Sequence, residues 1–200
     1  MKFVLASNNR KKLTEMKEIL SGLGIDVISL AEAGITDAPE ETGVTFAENA
    51  LIKADAACKA TGMPSVADDS GLVVDALGGA PGVYSARYGG EGLNDEERYL
   101  LLLKNMEDKE QRSARFVSSI ACRFPDGKLI TAEGSCQGSI LKAPVGNGGF
   151  GYDPVFYVTD IGKGMAELSA EEKNAISHRG RALRAFTEKL RGYLMEENDA

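Results

Sequence analysis

The stretch Ser65-Val-Ala-Asp-Asp-Ser-Gly-Leu-Val-Val-Asp75 sets two adjacent carboxylates between two apolar runs. Successive side chains on a strand point to opposite faces, so an Asp68–Asp69 pair at a strand end can send one carboxylate into a cleft and the other to its rim. The same residues, with Ser70 and Gly71 behind them, are also ordinary turn chemistry. The flanking sequence has to decide between the two.

Upstream, Lys2 to Ala6 reads as a buried strand, followed by the polar loop "SNN" and a helical pattern at Leu13, Met16, Ile19 and Leu20. Ile25 to Leu30 is a second strand after the Gly22 to Gly24 break, which completes a βαβ start. After the acidic, Pro-containing loop "DAPEETG", Thr45 and Glu48 have capping-box spacing ahead of a helix bearing Phe46, Leu51, Ala54 and Cys58. Gly62 and Pro64 end that helix, and "SVADDSGLVVDAL" follows as a pair of short strands.

Downstream, Asn94 caps a helix running to about Met106, with Glu96 and Glu97 in its first turn. Ala114 to Phe124 and Lys128 to Ile140 surround the turn "PDG" as an antiparallel hairpin. Ser169 and Glu172 form a second capping-box candidate, and a final helix after "SHRGRAL" carries Leu183, Phe186, Leu190 and Leu194. The expected fold is α/β: a long mixed β-sheet flanked by helices, with two lobes around a cleft, in a single domain over residues 1–200.

The 200 residues are enough to bury a core without staples, and the three cysteines, Cys58, Cys122 and Cys136, are odd in number and lack a C-x-x-C pattern. They read as reduced packing residues. The N-terminal "FVLA" is too short for a signal peptide or a membrane span, so a cytoplasmic protein is expected. A formal charge of −7 disfavours binding to a nucleic-acid backbone but allows a small anion in a local basic pocket.

Ser7-Asn-Asn-Arg-Lys-Lys12 offers such a pocket, because a strand-to-helix loop presents free N–H groups at the positive end of the helix dipole. Asn9 as a plain helix cap and the lysines as a solvated face fit the same residues. Glu40, Glu41, Asp68 and Asp69 would suit Mg²⁺ if the fold joins their loops, Mg²⁺ being usually held by one or two carboxylates plus substrate phosphates. The only histidine, His178, and the absence of a nucleophile-elbow serine argue against covalent serine hydrolysis and exclude a His-rich zinc site.

Five blocks in order, "LASNNRKKLTE", "EETGVTFAENALIKA", "ADDSGLVVDALGGAPGVYSARYGG", "GGFGYDPVF" and "AELSAEEKNAISHRGRAL", make the chain resemble the inosine triphosphate pyrophosphatase family over essentially its whole length. Members hydrolyse non-standard purine nucleoside triphosphates to the monophosphate and pyrophosphate. By motif position, the resemblance implies that Ser7, Asn8, Asn9, Arg10, Lys11 and Lys12 bind substrate phosphates and that Asp69 is the general base. It implies that Asp69 and Glu41 serve Mg²⁺, with Glu40 the alternative to Glu41, and that Ser70 contacts substrate. Phe150, Gly151, Tyr152 and Asp153 would line the nucleoside pocket, completed by Lys173, His178 and Arg179. Asn8 stands where many members have Gly, a departure that changes loop geometry but not charge. A homodimer is also implied. A related pyrophosphatase for other modified nucleotides and a nucleotide-binding regulator without turnover are the rival readings.

Overall fold

The computed structural model describes residues 1–7, 9–37 and 39–198, without the side chains of Arg10, Lys11, Glu15, Glu197 and Asn198. Strands β1 (Lys2–Leu5), β2 (Asp26–Ser29), β3 (Ser65–Val74), β4 (Ser113–Arg123), β5 (Leu129–Ile140), β6 (Phe156–Val158) and β7 (Lys163–Gly164) form one sheet in the order β2-β1-β3-β4-β5-β6-β7. The helices are α1 (Arg10–Ser21), α2 (Phe46–Thr61), α3 (Asp95–Asn105), α4 (Ala170–Ile176) and α5 (His178–Asn198). β1 runs parallel to β2 and β3, as helical crossovers require, while β6 is antiparallel to β5 and β7. The sheet is therefore mixed, as expected.

Three helix starts follow the capping rule that a side-chain oxygen and a Glu three residues on satisfy each other's backbone donors. Thr45 with Glu48, Asn94 with Glu97 and Ser169 with Glu172 each form a complete capping box. The "PDG" turn is closed by Gly127 N–H donating to Phe124 O and Phe124 N–H donating to Lys128 O, which joins β4 to β5 as a hairpin. Two expected boundaries are corrected. β3 is one ten-residue strand followed by a 3-10 turn at Asp75–Leu77, not a pair of strands, so Asp68 and Asp69 lie inside it and not at its end. Burial of Val66, Ala67, Leu72 and Val74 on either side holds Ser70 and Gly71 extended against their turn preference. α5 begins at His178, before "GRAL", because Ser177 Oγ accepts the Gly180 N–H and caps it.

The chain divides into two compact units. The first comprises Met1–Asp69, Ser119–Glu133 and Ala182–Ala200; the second comprises Ser70–Ser118 and Gly134–Arg181. In the first, alternate residues of one strand enter different apolar layers, as a period of two dictates. Phe3 and Leu5 join Met16 and Leu20 of α1 and Phe186 and Leu190 of α5. Val4 and Ala6 join Ala50, Ala54 and Ala57 of α2, with Ala67 and Ala121. The second unit has its own core of Leu72, Val74, Leu102, Met106, Tyr152 and Phe156.

Cys58, Cys122 and Cys136 are free and buried, and burial raises the pKa of all three thiols. Among the described residues, no helix is long and apolar enough to cross a membrane.

The alanine face of α2 is a close-packing device, since small side chains let a helix lie near the strands beneath it. Ala54 has no exposed surface, whereas Ala60 on the same helix is exposed. Ala54→Leu should therefore lose about 1–3 kcal/mol by overpacking, read as a lower urea midpoint at unchanged m-value. Ala60→Leu should stay within about 0.5 kcal/mol of the parent. Equal losses at both positions would contradict this assignment of the buried face.

Candidate active site

The two-residue period that splits β1 continues through β3. Val66 belongs to the layer with α1, and Ala67 to the layer with α2. Asp68 next meets α1, where Lys12 Nζ lies 2.7 Å from its Oδ2. Asp69 meets α2, where Lys53 Nζ lies 3.2 Å from its Oδ1. Adjacent carboxylates thus receive cations from two different helices.

Lys53 also stands 3.4 Å from Glu41 Oε1, so one ammonium bridges the acidic loop and the strand. Glu40, its neighbour, is exposed. Asn49, one helical turn before Lys53 and on the same face, is buried and its Oδ1 accepts the Gly43 N–H at 2.8 Å. Gly43 has no room for a side chain, since a Cβ there would come within 2.6 Å of Asn49 Oδ1 and 2.9 Å of the Asn49 backbone nitrogen. The loop carrying Glu41 is held against α2 by that close approach.

Asp69 titrates high for an aspartate. Burial is the largest cause, Lys53 opposes it by its charge and its hydrogen bond, and the Glu41 charge adds to it. Its Oδ2 is buried without a hydrogen-bond partner. Such an oxygen can accept a proton from water or ligate a hard cation. Among the described residues there is no group of three or more His, Cys, Asp or Glu able to hold a metal ion.

In the loop before α1, Ser7 Oγ accepts the Asn9 N–H at 3.2 Å and Asn9 Oδ1 accepts the Lys12 N–H at 3.3 Å. Asn9 is thereby the cap of α1, which fixes where Lys12 leaves the helix. Asn8 and the side chains of Arg10 and Lys11 lie outside the described residues. Ser70 follows on β3 and is half-buried.

The remaining expected residues gather in the second unit. Asp153 is buried; its Oδ2 accepts the Phe150 N–H at 2.9 Å and also takes the Lys173 ammonium. The Phe150 ring is 50% exposed, with Lys173 Nζ 4.4 Å and Arg179 Cζ 6.0 Å from its centroid. Gly149 permits this turn, since its φ is +77° and a Cβ there would lie 2.1 Å from Asp153 Oδ2. Tyr152 is buried and donates to Ser85 O at 2.8 Å. His178 stacks on Phe116 with ring centroids 4.9 Å apart and planes 14° from parallel.

Lys53 and Asn49 are not among the site residues expected from sequence. Their four-residue spacing on a capped helix was a usable signal, because both interrupt an alanine-rich face that otherwise enters the core.

By fold, the chain joins a set of solved α/β structures. It superposes on a HAM1 protein from Coxiella burnetii with TM-score 0.92 at 45% identity, covering 96% of this chain and 99% of that one. The Staphylococcus aureus Ham1 protein gives TM-score 0.91 at 43% identity, covering 96% and 100%. A family model described as the Ham1 family matches residues 3–189, and the chain belongs to that family. A curated relative named dITP/XTP pyrophosphatase from Thermus thermophilus is 54% identical over 190 residues, 94% of this chain and 91% of the relative. One of the same name from Shigella flexneri is 49% identical over 194 residues, 95% and 98%. The resemblance read from the five blocks is borne out.

Asp68 and Asp69 should respond oppositely to neutralisation in buffer free of divalent cations. The fold favours protonated Asp69, so its contribution to stability falls as pH rises through its raised folded value, and the ionised form is a net cost at neutral pH. Asp69→Asn should raise Tm at pH 7.5, with the gain narrowing toward acid pH. Asp68→Asn should lower Tm, because it removes one half of a buried ion pair whose side chains are 5% and 17% exposed. Calorimetry at several pH values checks both, and a fall in Tm for Asp69→Asn at pH 7.5 would overturn the electrostatic account.

Proposed function

We propose that this chain is a Mg²⁺-dependent nucleoside triphosphate pyrophosphatase, hydrolysing ITP, dITP and XTP to the nucleoside monophosphate and pyrophosphate. In this reading it acts in the cytoplasm as a homodimer and clears deaminated purines from the nucleotide pool. The observation that carries the reading is Asp69: a half-buried carboxylate of raised pKa, with one buried oxygen that has no hydrogen-bond partner, joined through Lys53 to Glu41. Relatives of the same family, matched over most of their length, bear the name dITP/XTP pyrophosphatase.

Phosphoryl transfer asks little covalent work of a protein; positioning and charge neutralisation dominate. The open Oδ2 of Asp69 and the Glu41 carboxylate are hard oxygen donors that fit Mg²⁺. When bound, that cation would neutralise phosphate charge and make water a better nucleophile. Asp69 orients the attacking water and takes its proton, and its raised pKa keeps it basic enough to do so. Lys53 holds Asp69 and Glu41 at a fixed separation. Lys12, with the loop Ser7 to Lys12, takes the β and γ phosphates, the leaving pyrophosphate.

The purine is assigned to the residues of the second unit. Phe150 presents an exposed ring to the base, and Arg179 and His178 at the start of α5 supply donors. A 6-keto oxygen accepts from such donors, whereas the 6-amino group of adenine leaves them unpaired, a mismatch that can discriminate by about four to five orders of magnitude.

A panel of nucleotides assayed with Mg²⁺ for pyrophosphate release should show ITP, dITP and XTP turned over far faster than ATP. Turnover in ¹⁸O-water should place the label in the monophosphate, as attack at the α phosphorus requires. Label in pyrophosphate would reassign Asp69 and Lys12. The acid limb of kcat/KM gives a second check with a worked sign. Lys53 lowers the Asp69 pKa, so Lys53→Met should move that limb to higher pH. A limb that moves to lower pH in this variant would exclude Asp69 as the titrating base.

A further inference from the structure

The turn Phe150–Asp153 is anchored unequally. At Tyr152 the hold is buried: its hydroxyl donates to Ser85 O, while Ser85 Oγ accepts the Leu72 N–H at 2.9 Å and donates to Gly82 O at 2.7 Å. At Gly151 the backbone N–H donates to Asp95 Oδ2 at 2.9 Å, a carboxylate 56 residues away in the chain. Asp95 opens α3, right after the Asn94 cap, and its other oxygen lies 3.6 Å from Arg98 Nη1 one turn later. Leu102 of α3 and Met106, just past its end, share a core with Tyr152 and Val155, which fixes the helix against the segment its first turn holds.

We propose that Asp95 is a positioning residue for purine recognition: it clamps the Gly151 backbone and so sets the attitude of the Phe150 ring presented to the base. The proposal rests on the assignment of Phe150 to the base, made above. Phe150 has its own N–H tied to Asp153 and the next N–H, that of Gly151, tied to Asp95. Two consecutive donors are thus held from two different elements, and the peptide between them cannot rotate without breaking one. The ring on that peptide is half-exposed, so the backbone beneath it carries much of its orientation. The requirement is for an acceptor and not for a charge.

Three variants test this with ITP and Mg²⁺. Asp95→Ala should raise KM about three- to tenfold with kcat within about twofold, the pattern of lost binding that is equal in ground and transition states. Asp95→Asn keeps a side-chain oxygen able to accept the Gly151 N–H and should stay within about twofold of the parent in KM. Phe150→Ala, run beside them, should raise KM at least as much as Asp95→Ala. An unchanged KM in Asp95→Ala while Phe150→Ala is impaired would sink the clamp and leave the base assignment standing. Equal KM losses for Asn and Ala at position 95 would overturn it in favour of helix-terminal charge. An unchanged KM in Phe150→Ala would remove the base assignment and the clamp with it.

Discussion

Everything at the candidate site depends on the alternation of side chains along β3. Because adjacent residues face opposite ways, Asp68 and Asp69 cannot share a cation, and each is met by a lysine from a different helix. The identity of the two faces is set earlier in the chain, where Phe3 and Leu5 choose the α1 and α5 layer and Val4 and Ala6 choose the α2 layer. A one-residue slip in the register of β3 would exchange the two carboxylates. Placement of the two carboxylates and core packing are consequently one constraint.

Three described lysines of the candidate site stand in ion pairs. Lys12 has Asp68, Lys53 has Glu41 and Asp69, and Lys173 has Asp153. In a chain of formal charge −7 this arrangement serves an anionic substrate in a specific way. The ammonium groups are immobilised before any ligand arrives, so their side-chain entropy is not lost again on binding. The carboxylates that hold them are mostly buried and sit behind the cations as fixed counter-charges.

Much of this was legible beforehand. The βαβ start, the Thr45 and Ser169 capping boxes and the "PDG" hairpin are local features, and local chemistry decides them. Ser70 and Gly71 favour a turn, which by local signals puts the Asp pair at a strand end, and burial of Leu72 and Val74 overrides that preference. Gly180 within the first turn of α5 obscures the Ser177 cap, so the helix begins earlier than its local sequence suggests. Lys53 and Asn49 escape the sequence for a different reason: helix periodicity puts them on one face, but only tertiary packing says that this face looks onto Asp69. Asp95 lies beyond any local signal, since its partner is 56 residues distant.

The three buried thiols make the folded protein its own reporter of breathing. With pKa values raised by burial and no exposed sulfur, none presents a ready thiolate to an alkylating reagent while the fold is closed. Cys58 and Cys122 lie in the first unit and Cys136 in the second. Modification at each sulfur therefore times the opening of its own surroundings, and mass spectrometry of the alkylated chain separates the unit that carries Asp69 from the unit that carries Phe150 without any introduced probe.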